Sequence, residues 1–222
     1  MKYMYQTLAL VWLGFAAAGC SLSQPYPAKD TFVLRGGDIP RAPYTIAESV
    51  RVEPVRIAPP YDSRNLVSRT GSVAVQRDYY NVFVAPPADL ATAELIRMLS
   101  ESGVFAQVSG ASSAESANVS LECMVTELCA DQTDPSSPVG ICRTTFRRLK
   151  QQPGSTSVID DRTFTASIPI ASNSGAGVAS ALGRAFGATV RAYVEAVGSL
   201  QPSQPLRTDA QVRTDAPAKS AR

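Results

Sequence analysis

The residue with the clearest chemical role is a cysteine near the start of the chain, Cys20. Small residues precede it in the run Ala17-Ala18-Gly19, and before them an apolar stretch, LALVWLGFAAA, follows Lys2. This order is typical of a secretory signal that ends at a lipid-acceptor cysteine. A transferase would join the Cys20 thiol to diacylglycerol, and a signal peptidase that fits small side chains would cut just before it.

We therefore predict that residues 1–19 are a lipoprotein signal peptide and that Cys20 carries covalent lipid. An uncleaved membrane anchor would need about 20 apolar residues, which this stretch lacks. A cleaved signal without lipid on Cys20 is the remaining alternative. Ser21 stands where Asp would favour retention in the inner membrane, so we expect a lipid-anchored protein on the periplasmic face of the outer membrane.

The rest of the chain divides into three parts. Residues 20–29 contain two prolines and form the expected lipidated tether. Residues 30–200 suffice for one domain. Residues 201–222 contain three prolines and few large apolar residues, so we expect a disordered tail. Between the signal and the tail, acidic and basic residues are nearly equal in number, which argues against nucleic-acid binding.

The sequence contains no histidine, which removes histidine-activated nucleophiles, histidine zinc ligands and the commonest general base. Two acidic pairs remain as candidate catalytic groups. Asp160-Asp161 indicates a turn, and Glu122 and Glu127 indicate the polar side and the end of a strand. We therefore expect no enzymatic activity, no metal site and no cofactor other than the lipid on Cys20.

Three further cysteines would be exported to an oxidising compartment. Cys129 and Cys142 flank a loop rich in turn-forming residues. We expect a hairpin closed by a Cys129–Cys142 disulfide, which would be worth ~3 kcal/mol, and Cys123 in the core. A metal site is the rival interpretation, but three cysteines without CxxC spacing or a fourth ligand make a poor zinc site.

Apolar residues at alternating positions predict strands. The segments 119–128, 141–149 and 157–168 indicate an antiparallel meander. The segment 50–59 shifts register at Pro54, which indicates an edge strand or a bulge.

Helical spacing of apolar residues predicts two helices, over about 88–102 and 177–200. Gly183 and Gly187 would let the second helix approach the sheet closely. Together, the elements predict an α+β fold, with a mixed, largely antiparallel sheet and two main helices packed on one face.

The segment 79–84 is dense in aromatic residues. Core packing is the commoner role for aromatic residues in a strand. Tyr79, Tyr80 and Phe83 are the candidate contact patch if the segment is exposed.

Four segments that follow the lipid-acceptor cysteine in order resemble the ABC-type transport auxiliary lipoprotein family: VRVEPVRIAP at 50–59, RNLVSRTG at 64–71, YYNVFVAPPADL at 79–90 and SGVFAQV at 102–108. The resemblance implies an outer-membrane accessory subunit of an MCE-domain lipid transport system, powered by a separate ATPase. Such a subunit would dock the periplasmic MCE-domain protein at the outer membrane, as a homo-oligomeric ring of copies.

A different class of function stays open. The protein could be a stand-alone periplasmic carrier of lipid or another hydrophobic ligand. That function requires a pocket between the helices and the sheet.

Overall fold

The computed structural model describes residues 28–199, and within this range the chain forms nine strands and two helices. The helices are α1 (Pro87–Ser102) and α2 (Gly175–Gly198). The strands are β1 (Asp30–Phe32), β2 (Ile46–Val52), β3 (Arg56–Ile57), β4 (Asn65–Arg69), β5 (Val75–Phe83), β6 (Phe105–Gly110), β7 (Val119–Asp131), β8 (Val139–Gln152) and β9 (Ser155–Pro169).

The sheet is built around β7, which has neighbours along both edges. On one edge, β8 pairs antiparallel with β7, and β9 pairs antiparallel with β8. On the other edge, β2, β3 and β4 lie end to end and pair parallel with successive parts of β7. β6 extends the sheet beyond β2, while β5 and then β1 extend it beyond β4. Most residue pairs are antiparallel, so the predicted α+β fold with a mixed, largely antiparallel sheet is confirmed.

The predicted meander corresponds to β7, β8 and β9, which have 13, 14 and 15 residues. In β8, every second residue from Gly140 to Arg148 is buried. All three strands are longer than their alternating segments. The reason is that the backbone hydrogen bonds of the ladder continue past the alternating segments, through the buried residues 129 and 130 in β7 and through the exposed residues 150–152 in β8.

The predicted irregularity at Pro54 is present as one extra residue against β7. Val52 lies opposite Leu121 and Arg56 opposite Met124, so four steps along this segment match three along β7. Among the described strands, β3 pairs with β7 alone. β2 ends at Val52 and β3 begins at Arg56, and both strands pair with the interior strand β7. Proline has no backbone N–H to donate to a ladder, so the strand is interrupted here. The N–H of Val55 instead donates to Thr92 Oγ1 of α1 at 2.9 Å. The interruption thereby connects the sheet to α1.

Both helices pack on one face of the sheet and contact each other. Pro87 occupies the first turn of α1, where its fixed φ suits the helix. Gly103 ends α1 with a φ of +62°, a left-handed conformation that glycine adopts without strain. At the start of α2, the Ser174 hydroxyl accepts a hydrogen bond from Gly177 N at 3.1 Å. Neither helix of the described chain has the length and hydropathy to span a bilayer.

Large side chains fill the space between α2 and the sheet. Leu182, Phe186 and Tyr193 of α2 are at most 1% exposed. The Tyr193 ring stacks on Phe146 of β8, with ring centroids 4.4 Å apart. Burying one such apolar side chain contributes ~1.5–3 kcal/mol, so this interface is the main source of helix–sheet cohesion.

Candidate functional site

The chain enters the fold where β1 pairs with the end of β5. This pairing is parallel and places Asp30 opposite Asn81. Residues 28 and 29, the last of the tether, are exposed. Cys20 lies outside the described residues, together with the signal, most of the tether and the predicted tail. Lipidation of Cys20 therefore stays a prediction, and the pair β1–β5 marks where its tether meets the domain.

After β1, residues 34–38 pass between the two helices; we call this segment the strap. Leu34 is 3% exposed. Gly36 N donates to Glu94 Oε1 of α1 at 2.5 Å. From α2, Arg191 Nη1 donates to the carbonyl oxygens of Gly36 and Asp38, at 2.9 and 3.0 Å. Both helices thus hold the segment that joins the tether to the rest of the domain.

Two glycines of α2 allow this close passage. A Cβ atom at Gly183 would lie 2.4 Å from Arg35 O, and one at Gly187 would lie 2.0 Å from Gly36 O. The predicted close approach of α2 is therefore present, but its partner is the strap. The predicted partner, the sheet, is wrong for these two positions because the strap lies there.

Glu94 is the buried charge of this region, with 4% of the residue exposed. Its carboxylate accepts hydrogen bonds from Gly36 N at 2.5 Å and from Arg97 at 2.7 Å, and Arg35 lies 3.6 Å away. Burial acts to raise the pKa of Glu94, but the hydrogen bonds from Arg97 and Gly36 outweigh burial and hold the pKa below its ordinary value. Glu94 therefore stays ionised at neutral pH and ties the strap to α1.

Residues 78–81 of β5 form an irregular protrusion, here called the β5 bulge. The β4–β5 register shifts after Asn65, which leaves these residues outside the regular ladder. The Asp78 carboxylate accepts hydrogen bonds from the N–H groups of Tyr80 and Asn81, at 2.9 and 3.0 Å. Asn65 Nδ2 donates to the Asp78 carbonyl at 2.6 Å. These bonds fix the bulge, and bulges commonly redirect side chains out of a sheet.

Tyr79 and Tyr80 extend from the β5 bulge, with 49% and 45% of their surface exposed. Their rings meet edge to face, with centroids 5.2 Å apart. The Lys29 ammonium lies 4.1 Å from the centre of the Tyr79 ring. Phe83, in contrast, is 2% exposed and belongs to the core. The structure therefore divides the predicted patch: both tyrosines are accessible for contact and Phe83 is not, because it follows the bulge in regular pairing.

A cavity of about 250 Å³ lies beside the start of α2. Its lining is mainly polar and includes Ser68, Gln76, Asn81 and Ser174. A lipid chain would require an apolar lining, so this cavity is unsuited to one.

The predicted Cys129–Cys142 disulfide is not formed; all three cysteines of the described chain are free and buried. The β7–β8 ladder pairs Asp131 with Val139, and in this register Cys129 lies opposite Ile141. The two cysteines are offset by one residue, so their side chains point to opposite faces of the sheet. Loop composition indicated the hairpin but could not fix its register.

Burial also raises the pKa of the thiols, to about 11 for Cys129 and to about 12 for Cys142. Cys123 lies in the core, as predicted, at 2% exposure. Its pKa is raised well above the ordinary value, also by burial. Thiols that stay protonated at neutral pH are poor metal ligands and nucleophiles. Within residues 28–199, no group of three or more His, Cys, Asp or Glu residues could hold a metal ion.

Asp160 and Asp161 lie within β9, which corrects the predicted turn. Asp160 Oδ1 accepts a hydrogen bond from Arg162 Nε at 2.8 Å, and Asp161 Oδ2 lies 2.8 Å from Arg147 Nη2. The prediction failed because aspartate is depleted in strands, so an adjacent pair favours a turn when the neighbouring strand is not known. Here an arginine is available to each.

The second acidic pair is also neutralised. Glu122 lies 3.7 Å from Arg56, and Glu127 lies 2.6 Å from Arg69. Arg69 also contacts Asp131 at 2.5 Å, and this hydrogen bond holds the pKa of Asp131 well below its usual range. Asp131 therefore stays ionised at neutral pH and is a poor proton donor.

One partly buried ion pair was not predicted from the sequence. Arg148 of β8 faces the helices at 5% exposure and donates to Glu48 Oε2 at 2.8 Å. Its Nε lies 3.7 Å from Asp160 Oδ2. The sequence does contain a signal for this burial. Arg148 lies two and four residues after Phe146 and Thr144, so it faces the core with them.

Comparisons with known proteins bear on both the fold and the family. The crystal structure of protein XCC0632 from Xanthomonas campestris, described as DUF330, has a TM-score of 0.66 and 20% identity, over 75% of this chain and 93% of that chain. A second crystal structure, of an uncharacterized protein, has a TM-score of 0.56 and 14% identity, over 77% and 99%. These likenesses show a shared fold alone.

No curated protein matches the sequence significantly. The family described as ABC-type transport auxiliary lipoprotein component matches residues 37–193. This range includes every element from β2 to most of α2. The chain therefore belongs to the family of ABC-type transport auxiliary lipoprotein components.

Proposed function

We propose that this protein is the outer-membrane lipoprotein of an MCE-domain, ABC-type lipid transport system. In this role the domain binds the periplasmic MCE-domain protein and holds it at the outer membrane. The family match over residues 37–193 is the observation that carries the proposal. The signal ending at Cys20 supports anchoring, and Ser21 directly after it supports the outer membrane as its location.

The packing of the domain favours docking over stand-alone lipid carriage. A carrier would need an apolar pocket between the helices and the sheet. That space is occupied by side chains such as Leu95, Phe146 and Phe186, all fully buried. Opening a pocket there would separate well-packed layers, at a cost of several kcal/mol in lost burial.

A non-enzymatic role is part of the same proposal. The chain lacks histidine, and the acidic pairs singled out as the remaining candidates are held by arginines. Carboxylates that are held by arginines in this way stabilise the domain. The substrate of the system would pass through the assembly, and a separate ATPase would supply the energy.

The proposal is tested by affinity purification of the tagged full-length protein from detergent-solubilised envelopes, with mass spectrometry of proteins and lipids. The matched control carries residues 1–29 fused to an unrelated soluble domain. This fusion keeps the signal and tether but lacks the domain.

We expect an MCE-domain protein with the full-length chain and none with the fusion. Crosslinking of the same sample reports how many copies assemble. Recovery of lipid with a monomer, in the absence of any partner, would instead support the stand-alone carrier.

A further inference from the structure

We propose that the surface formed by Lys29, Tyr79 and Tyr80, which we call the tyrosine surface, lies against the phospholipid headgroups of the anchoring membrane. This inference rests on the proposed lipid anchor at Cys20. It adds an orientation: the domain contacts the bilayer with one defined face and presents its other faces to the periplasm.

The length of the tether supports this placement. Lys29 is nine steps along the chain from Cys20, so even a fully extended chain spans at most ~32 Å. The Lys29 ammonium lies 4.1 Å from the centre of the Tyr79 ring. The tether therefore leaves the domain beside the two tyrosines, and its length limits how far they can lie from the anchored lipid.

The chemistry of the surface suits the headgroup region. Tyrosine combines an apolar ring with a polar hydroxyl, and this combination is enriched where proteins meet the membrane interface. Both rings are about half exposed. The Lys29 ammonium supplies a cation beside them, which complements lipid phosphates.

The surface is also preorganised. Asp78 binds the backbone N–H groups of Tyr80 and Asn81, and Asn65 binds the Asp78 carbonyl. A rigid presentation reduces the conformational entropy lost when side chains enter an interface. The tether joins the domain beside this surface and is short enough to keep it near the anchored lipid, so the bilayer is the favoured occupant.

The sequence offers a clean test, because Trp12 is its single tryptophan and lies in the predicted signal peptide. A tryptophan placed by substitution is then the sole indole of the mature protein. We would prepare the full-length lipidated protein with Tyr80→Trp. The control is Tyr44→Trp, at a site that is 55% exposed. Tyr44 precedes β2, and β2 pairs with the start of β7. The tyrosine surface adjoins β4, and β4 pairs with the end of β7.

Each variant is reconstituted into vesicles of phosphatidylethanolamine and phosphatidylglycerol, with bromine on the acyl chains near the headgroups. Interfacial side chains enter ~5–10 Å into this region, so we expect a roughly twofold loss of Tyr80→Trp emission. Tyr44→Trp should keep its emission. Mass spectrometry of the N-terminal peptide checks the acyl groups on Cys20 in the same samples.

The outcomes separate the two proposals. If each variant emits equally in brominated and in ordinary vesicles while Cys20 is acylated, the membrane contact is overturned and the anchor is left intact. Absence of the acyl mass would overturn the anchor and this inference with it. A third outcome is that Tyr80→Trp emission is the same in brominated and ordinary vesicles but changes when the MCE-domain protein is added. This outcome would assign the surface to that partner and overturn the membrane contact.

Discussion

Replacing Glu94 with glutamine tests whether this carboxylate secures the strap. The variant keeps the size of the side chain and removes its charge. Wild-type Glu94 accepts hydrogen bonds from Gly36 N at 2.5 Å and from Arg97 Nε and Nη2 at 3.0 and 2.7 Å. Glutamine has one acceptor oxygen, and its amide N–H groups would face donors. At least one of the three bonds must therefore be lost.

The expected cost follows from the burial of this group. A hydrogen bond to a charged group contributes ~1.5–3 kcal/mol. Arg97 retains Glu101 and the Gly37 carbonyl as partners, so it is not left unsatisfied. We therefore expect Glu94→Gln to lower the free energy of unfolding by about 2 kcal/mol. Glu101→Gln is the matched control, because Glu101 bonds the same arginine but is 49% exposed. Its expected cost is below about 0.5 kcal/mol.

Urea unfolding of the purified mature protein, followed by circular dichroism, measures both variants. With an m-value of ~2 kcal/mol/M, the Glu94→Gln midpoint should fall by ~1 M. The Glu94 contribution is complete above the unfolded pKa near 4.5 and is lost as the pH falls through the lower folded pKa. Wild type and variant should therefore converge in acid. A Glu94→Gln shift no larger than that of Glu101→Gln, or one independent of pH, would refute this reasoning.

Three further predictions concern other parts of the fold. Gly187→Ala should lower the free energy of unfolding by ~3 kcal/mol or more, measured by thermal unfolding, since its Cβ would overlap the strap. Gly198→Ala is the control and should be neutral or stabilising, because its Cβ meets nothing nearer than 3.8 Å. Asp131→Asn should destabilise at pH 7 by ~1 kcal/mol through loss of the Arg69 bond, and the difference should vanish as acid protonates wild-type Asp131; urea midpoints at both pH values check this. Iodoacetamide at pH 8 should label none of the three buried cysteines in the native protein and all three in urea. Thiols that stay unlabelled in urea until reduction would reveal a disulfide, by mass spectrometry.

The local elements were predictable because each one has a periodic side-chain pattern. The meander alternates buried and exposed residues along β8, and α2 buries Leu182, Phe186 and Tyr193 on one face. Such patterns indicate the element type and which face enters the core. They gave the fold class correctly for this reason.

The arrangement around β7 could not be predicted in the same way. β2, β3 and β4 lie end to end along one strand, and their pairing depends on contacts distant in sequence, such as Val50 with Val119. The one-residue offset of Cys129 and Cys142 likewise depends on the hairpin register. The side-chain period does not distinguish registers that differ by two residues, because every side chain then keeps its face. Nor does it show the irregularity between Val125 and Glu127, which shifts the pairing before Cys129.

The attachment of the tether to the domain explains why the strap is buried. β1 contributes three residues of parallel pairing at an edge of the sheet, which alone is a weak attachment for an anchored chain. The next residues bury Leu34 and bind Gly36 to both α1 and α2. A force on the tether would thus be shared with helices that are packed across the sheet. Glycine within a helix costs ~1 kcal/mol relative to alanine, and at Gly183 and Gly187 that cost is offset by an N-terminal segment held on two sides.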